Sequence, residues 1–157
     1  VEKFKVMKYV FELSFKYFNI DFDILVDLDC TNPLRSPRDI DNLIEKFSSK
    51  SYENTDLMFT VCNARKNPYF NLLEKATDGR LELSKKLNNN IIRRQDAPKV
   101  IEHVASIYAI RKQYLQTANS LLEGYAVGFD IGQEKSFDID NDFDWEIIEF
   151  LMGKKNE

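Results

Sequence analysis

The chain has 157 residues, one domain's worth, of which 43% are hydrophobic and 31% charged, an ordinary globular mixture. Its formal net charge of −4 speaks against a broad nucleic-acid footprint and leaves any anionic ligand to a local Arg cluster or a metal. No apolar run approaches membrane-spanning length and no signal peptide is visible, so a cytoplasmic protein without nucleic-acid or membrane partners is expected.

Glu2 to Phe18 reads as an amphipathic helix, with Val6, Val10, Leu13 and Tyr17 recurring at spacings of three and four as its core stripe. Phe22 to Leu28 (FDILVDL) is a short β-rich apolar run and a candidate buried strand. Thr31 to Arg35 is a loop broken by Pro33. A helix follows, with Ser36 as N-cap, Pro37 at its first position and Asp39 in its first turn. Its buried stripe is Ile40, Leu43, Ile44 and Phe47. Asp56 to Cys62 is a second strand.

Asn67 to Glu74 and Arg80 to Ser84 flank Asp78-Gly79, a hairpin turn signal. A polar loop over Asn88 to Asn90 leads to Arg93-Arg94-Gln95-Asp96. Ala105 to Ile110 is a third core strand, Arg111 to Thr117 a short helix, and Tyr125 to Ile131 a further strand. Asp142 to Met152 is the closing helix, with Phe143, Ile147, Ile148 and Leu151 inward and Gly153 as its stop. Strands alternating with helices, with a hairpin excursion in the middle, predict an α/β sandwich around a mostly parallel sheet. Cys30 and Cys62 adjoin apolar runs and read as reduced, buried thiols. With His103 alone, a His-rich metal site is poorly supported.

Chemistry concentrates at Ser136 to Asp144, SFDIDNDFD. In an extended segment Asp138 and Asp140 project to one face while Ile139 turns into the core. Two aimed carboxylates suit Mg2+, which completes its shell with water and phosphate oxygens. Spacing alone fits a solvated acidic turn capping the last helix equally well. A second acidic stretch, Asp27-Leu28-Asp29-Cys30-Thr31, resembles the first motif of haloacid-dehalogenase-like phosphotransferases. There Asp27 would be the nucleophile and Asp29 the acid/base. That match is short, and a matching distal acidic pair and Lys are not evident.

The longer context, ILVDLDCTNPLRSPRDID, resembles the strand-loop-helix of the acylneuraminate cytidylyltransferases, the synthetases of CMP-nonulosonic acids. Thr31, Pro33, Leu34 and Arg35 match the family's PTSPLR loop. The likeness continues in order through RKNPYF, RRQDAP, ASIY and EKSFDID, and ends with DFDWEIIEFLM. It implies a nucleotide-diphospho-sugar transferase fold and transfer of a cytidylyl group from CTP to a nine-carbon sugar acid, with release of pyrophosphate. It further implies Mg2+ held by Asp138 and Asp140, the catalytic acids. Substrate contacts are implied at Asp29, Thr31, Arg35, Arg94, Gln95 and Tyr108. Arg94 would take the sugar carboxylate through paired hydrogen bonds. The family's dimer contact falls on the excursion over 67–98, so a homodimer is expected.

Three pocket positions depart from the family pattern. Asp29 replaces a frequent Gln, where it could meet an amino or hydroxyl group or bind the metal instead, Val104 replaces a frequent Asn, and Phe70 an occasional Lys. A diamino-type acid such as legionaminate is therefore at least as well matched as sialic acid, and cell-surface polysaccharide the expected destination. The family's N-terminal Gly- and basic-rich phosphate loop has no counterpart here. The five glycines stand at 79, 124, 128, 132 and 153 and form no cradle. The chain thus reads as one domain, 1–157, incomplete at its N-terminus and inactive alone. A non-catalytic truncated module is the alternative.

Overall fold

A computed structural model describes residues 2–19, 21–87 and 93–154. The polar loop read over Asn88 to Asn90 lies outside the described residues. The chain divides into two compact units, Val1–Cys62 with His103–Glu157, and Asn63–Glu102.

The first unit holds α1 (Lys3–Phe18), β1 (Ile24–Leu28), α2 (Pro37–Ser48), β2 (Leu57–Asn63) up to Cys62, β5 (Ile101–Arg111) from His103 on, α3 (Lys112–Thr117), β6 (Ala126–Asp130) and α4 (Asp142–Lys154). Its sheet has the order β1-β5-β2-β6. β5 runs antiparallel to β1, with Asp27 opposite Tyr108. β2 and β6 are parallel. Arg111 N–H donates to the Asp56 carbonyl, and Thr60 bonds Val104 and Ile107. As β2 advances, β5 therefore retreats. β1, β2 and β6 share one direction and β5 is inverted among them, so the mostly parallel α/β sheet predicted from the sequence is present.

Side chains alternate between two cores. On one face Phe4, Met7 and Phe11 of α1 pack with Leu57, Tyr108, Ile110, Tyr114 and Leu115. On the other, Leu43 and Phe47 of α2 pack with Met58, Cys62, Val104, Ile107 and Ala109. Val104 and Ile107 are three apart yet share a face, which requires a one-residue slip in β5. Thr60 sits at that slip. Its hydroxyl donates to the Val104 carbonyl at 2.8 Å and accepts from Ile107 N–H at 2.9 Å. This is a β-bulge closed by a side chain.

α2 begins as predicted. Ser36 and Asp39 form a reciprocal capping box with Pro37 behind it. Three expectations fail. α1 is a helix, but its buried face is Phe4, Met7 and Phe11, while Val6, Val10 and Tyr17 are exposed. Apolar residues occupy both faces, so periodicity picks a stripe without saying which one is covered. Phe143 is likewise exposed on α4, which buries Ile148 and continues through Gly153. Cys30 is exposed, and Cys62 alone is a buried thiol.

The second unit contains β3 (Leu73–Lys75) and β4 (Leu81–Leu83), an antiparallel hairpin. Gly79 turns it at φ +88°, a backbone region open to glycine. Asp78 accepts from the Arg80 backbone and guanidinium beside it.

Thr60→Val keeps shape but strands a buried N–H and a buried carbonyl. It should lower unfolding free energy by about 1–3 kcal/mol, measured by urea denaturation of the encoded protein.

Candidate functional site

The site grows from the C-terminal end of β1. The ladder continues one residue past the strand, where Asp29 N–H donates to the Ser106 carbonyl at 2.9 Å. Asp29 then folds the loop on itself. Its Oδ1 accepts the Thr31 N–H at 3.2 Å and the Thr31 hydroxyl at 2.9 Å. Arg35 Nη1 clamps the Asp29 and Asn32 carbonyls at 2.5 and 2.6 Å. Thr31 and Arg35 thus shape the loop that presents Asp29.

Asn32 is fully buried. Its amide nitrogen donates to the carbonyls of Lys135 and Phe137, both at 2.9 Å. Its oxygen accepts the Ser106 hydroxyl at 3.0 Å. Ile139 N–H adds a bond to the Thr31 carbonyl. These contacts stitch the acidic segment alongside the β1 loop. Lys135 reinforces them, its Nζ lying 2.7 and 2.8 Å from the two oxygens of Asp39. Asp138 is half-buried and Asp140 exposed. Asn141 caps α4 by accepting from the Phe143 and Asp144 amides.

Lys3, in the first turn of α1, faces the same end of β1. Its Nζ lies 2.7 Å from Asp29 Oδ2 and 3.0 Å from Asp27 Oδ2, and 4.3 Å from the centre of the Tyr108 ring. Tyr108 meets His103 edge-on, ring centres 5.5 Å apart.

Burial pulls the Lys3 ammonium down, but bonds to Asp29 and Asp27 outweigh it and hold it above its ordinary value. Burial pushes Asp29 up, yet Lys3 and Thr31 leave it below the usual carboxylate range. Burial raises the Tyr108 phenol against the lowering pull of Lys3, and the charges of Asp29, Asp27 and Asp138 add to the rise. Asp138 differs from Asp29. Burial raises it first, and the charges of Asp140, Asp144 and Asp29 raise it further.

Neither Asp138 nor Asp140 takes part in an ion pair among the described residues. Negative charge accumulates there without a counter-ion, in an all-oxygen donor set that fits a hard cation. Among the described residues no group of three or more His, Cys, Asp or Glu is placed to hold a metal. Two carboxylates suffice for Mg2+, which keeps several waters or phosphate oxygens.

The first unit therefore brings together Asp29, Thr31, Arg35, Tyr108, Asp138 and Asp140. Arg94 and Gln95 belong to the second unit, in an exposed 3-10 turn. There Arg94 Nη2 donates to the Arg65 carbonyl at 2.8 Å. Asn67, nearly buried, braces the segment by donating to the Pro98 carbonyl. Lys3, Asn32 and Ser106 escaped the sequence reading. Lys3 looks like any surface lysine of a helix. Asn32, beside a proline in a loop, carried no sign of its complete burial. A polar groove lined by Asp23, Glu53, Arg111 and Gln116 lies at the other end of β1 and β5. The Arg111 guanidinium there is engaged with three carbonyls.

No family model matches the chain. It is 37% identical over 154 residues to post-translational flagellin modification protein B of Campylobacter coli. It is 36% identical over 154 residues to CMP-N,N'-diacetyllegionaminic acid synthase of Campylobacter jejuni. Each match covers 98% of the chain, which spans 63% of the length of these relatives. The solved structure of CMP:2-keto-3-deoxy-manno-octonic acid synthetase complexed with CTP shares the fold. Its TM-score is 0.61 at 15% identity, over 95% of this chain and 68% of that one. The chain is thus similar over nearly its whole length to a protein named as a CMP-N,N'-diacetyllegionaminic acid synthase, in keeping with the resemblance carried by the ordered motifs. Among the described residues no helix is long and apolar enough to cross a membrane.

Because its carboxyl is raised, ionised Asp138 costs stability at neutral pH, and that cost fades as pH falls through the raised pKa. Asp138→Asn should therefore raise the Tm in metal-free neutral buffer and narrow its lead over wild type at acid pH. Calorimetry across pH checks both.

Proposed function

We propose that the protein carrying this chain is a cytidylyltransferase that activates a nonulosonic acid with CTP, forming the CMP-sugar and pyrophosphate. The observation that carries this is the 36% identity to a diacetyllegionaminic acid synthase across 98% of the chain. That likeness includes the segments that supply Asp29, Tyr108, Asp138 and Asp140. A diamino-type acid is the substrate favoured over sialic acid, because the 36% identical relative is named as a synthase of a diacetyllegionaminic acid. The phosphatase alternative loses ground, since Asp27 and Asp29 share Lys3 as counter-ion.

In this reading the anomeric hydroxyl of the sugar attacks the α-phosphorus of CTP and pyrophosphate leaves. Asp138 and Asp140 would hold Mg2+, which supplies positive charge to phosphate oxygens when bound. Arg94 orients the sugar carboxylate, with Gln95 beside it, so its contribution is positioning. Tyr108 and Asp29 line the pocket, while Thr31 and Arg35 fix the loop that offers Asp29. The hairpin unit carries exposed Leu72, Leu73, Leu81 and Leu83, apolar area suited to a homodimer contact. A cytoplasmic location follows from the need for CTP.

The test is pyrophosphate release from CTP by the encoded protein with a panel of sugar acids. Asp138→Asn and Asp140→Asn should each lower kcat by about a hundredfold or more. Arg94→Lys should mainly raise KM for the sugar acid, because an ammonium cannot make the two-pronged contact. Unchanged kcat in both acid variants would overturn the assignment.

A further inference from the structure

The first unit carries two carboxylate pairs at the same spacing, Asp27 with Asp29 and Asp138 with Asp140. They differ in one respect. Asp27 and Asp29 share an internal cation, and the second pair has none among the described residues. Lys3 Nζ stands 2.7 Å from Asp29 Oδ2 and 3.0 Å from Asp27 Oδ2, with the Tyr108 ring face beneath it at 4.3 Å. Two carboxylate oxygens converging on one nitrogen hold it much as they would hold a metal ion. Asp27 Oδ2 is buried, and its contact with the Lys3 ammonium is what compensates it.

We propose that Lys3 is a positioning residue: its ammonium fills the Asp27–Asp29 pair and so confines hard-cation binding at this end of the sheet to Asp138 and Asp140. Asp29 is near enough to Asp138 for its charge to act there. Without Lys3, four carboxylates would face one region, and a divalent cation could settle on the pair that sits beneath α1. Phosphate oxygens would then be drawn to the wrong place. Lys3 prevents this with a tethered charge that is held by Asp29 and covered by the aromatic face. This use of Lys3 rests on the metal reading of Asp138 and Asp140, but it makes a prediction about Asp27 and Asp29 that stands apart from catalysis.

The experiment is Mn2+ binding to the encoded protein without CTP or sugar acid, with free Mn2+ counted by electron paramagnetic resonance. Lys3→Met should bind one more Mn2+ per chain than wild type. The added site should vanish in Lys3→Met/Asp29→Asn and in Lys3→Met/Asp27→Asn. Lys3→Arg, which keeps the charge, should show the wild-type count. Lys3→Gln serves as the second uncharged variant should the Met protein not fold. An unchanged count in the uncharged variant would overturn the proposal, as would an added site that survives both Asp replacements. So would a wild-type Mn2+ site lost in Asp29→Asn and kept in Asp138→Asn. Absence of cytidylyl transfer from the wild-type protein would defeat the proposed function and leave this count unaffected.

Discussion

The buried carboxamide of Asn32 is the constraint on which the site depends. One side chain bonds the carbonyls of Lys135 and Phe137 and the hydroxyl of Ser106. It joins segments more than a hundred residues apart in the chain. Each buried bond of this kind is modest in net terms, while leaving a buried partner unsatisfied costs about 1–3 kcal/mol. A cost of that size on three partners is what fixes register between the β1 loop and the acidic segment. Without it, Asp138 and Asp140 would be a solvated turn before α4, the bland reading their spacing allows. With it, Asp138 is carried into a partly desolvated place beside Asp29 and Tyr108, where its charge is expensive.

Local chemistry was legible in the sequence. The capping box of Ser36 and Asp39, the Asp78-Gly79 hairpin and the β-rich runs each depend on residues a few positions apart. The acidic pair and the PTSPLR-like loop could be named as a candidate site too, because motifs in a fixed order constrain one another. What could not be read were choices settled by tertiary contact. α1 offers two apolar faces, and only the sheet decides that Phe4, Met7 and Phe11 are the buried one. The slip in β5 depends on the hydroxyl of Thr60, a residue on another strand. Lys3 gains its role from two carboxylates and a ring contributed by β1, its following loop and β5.

The same slip has an electrostatic and steric result. Strict alternation would put His103 and Tyr108, five apart, on opposite faces of the sheet. In the structure their rings meet edge-on, with Phe59 against His103 at 4.6 Å. The bulge thus turns Tyr108 toward Lys3 while keeping Val104 and Ile107 in the α2 core. A hydrophobic residue at position 104 is consistent with that placement. Val104 is nearly fully buried, among the residues packed on the α2 side.

β2 and β5 are neighbours in the sheet, yet residues 64–100 lie between them in sequence. Closing a flexible loop of that length carries an entropy cost that grows with the logarithm of its length. The excursion has its own hairpin, its own Asn67 bonds, and a neck where Ala64 N–H meets the Val100 carbonyl at 3.0 Å. A segment that organises itself in this way shortens the effective separation of its two ends. The central pairing of the sheet then behaves as a nearly local contact during folding. It also lets the excursion change in length over evolutionary time without disturbing the strands that carry Tyr108 and Thr60.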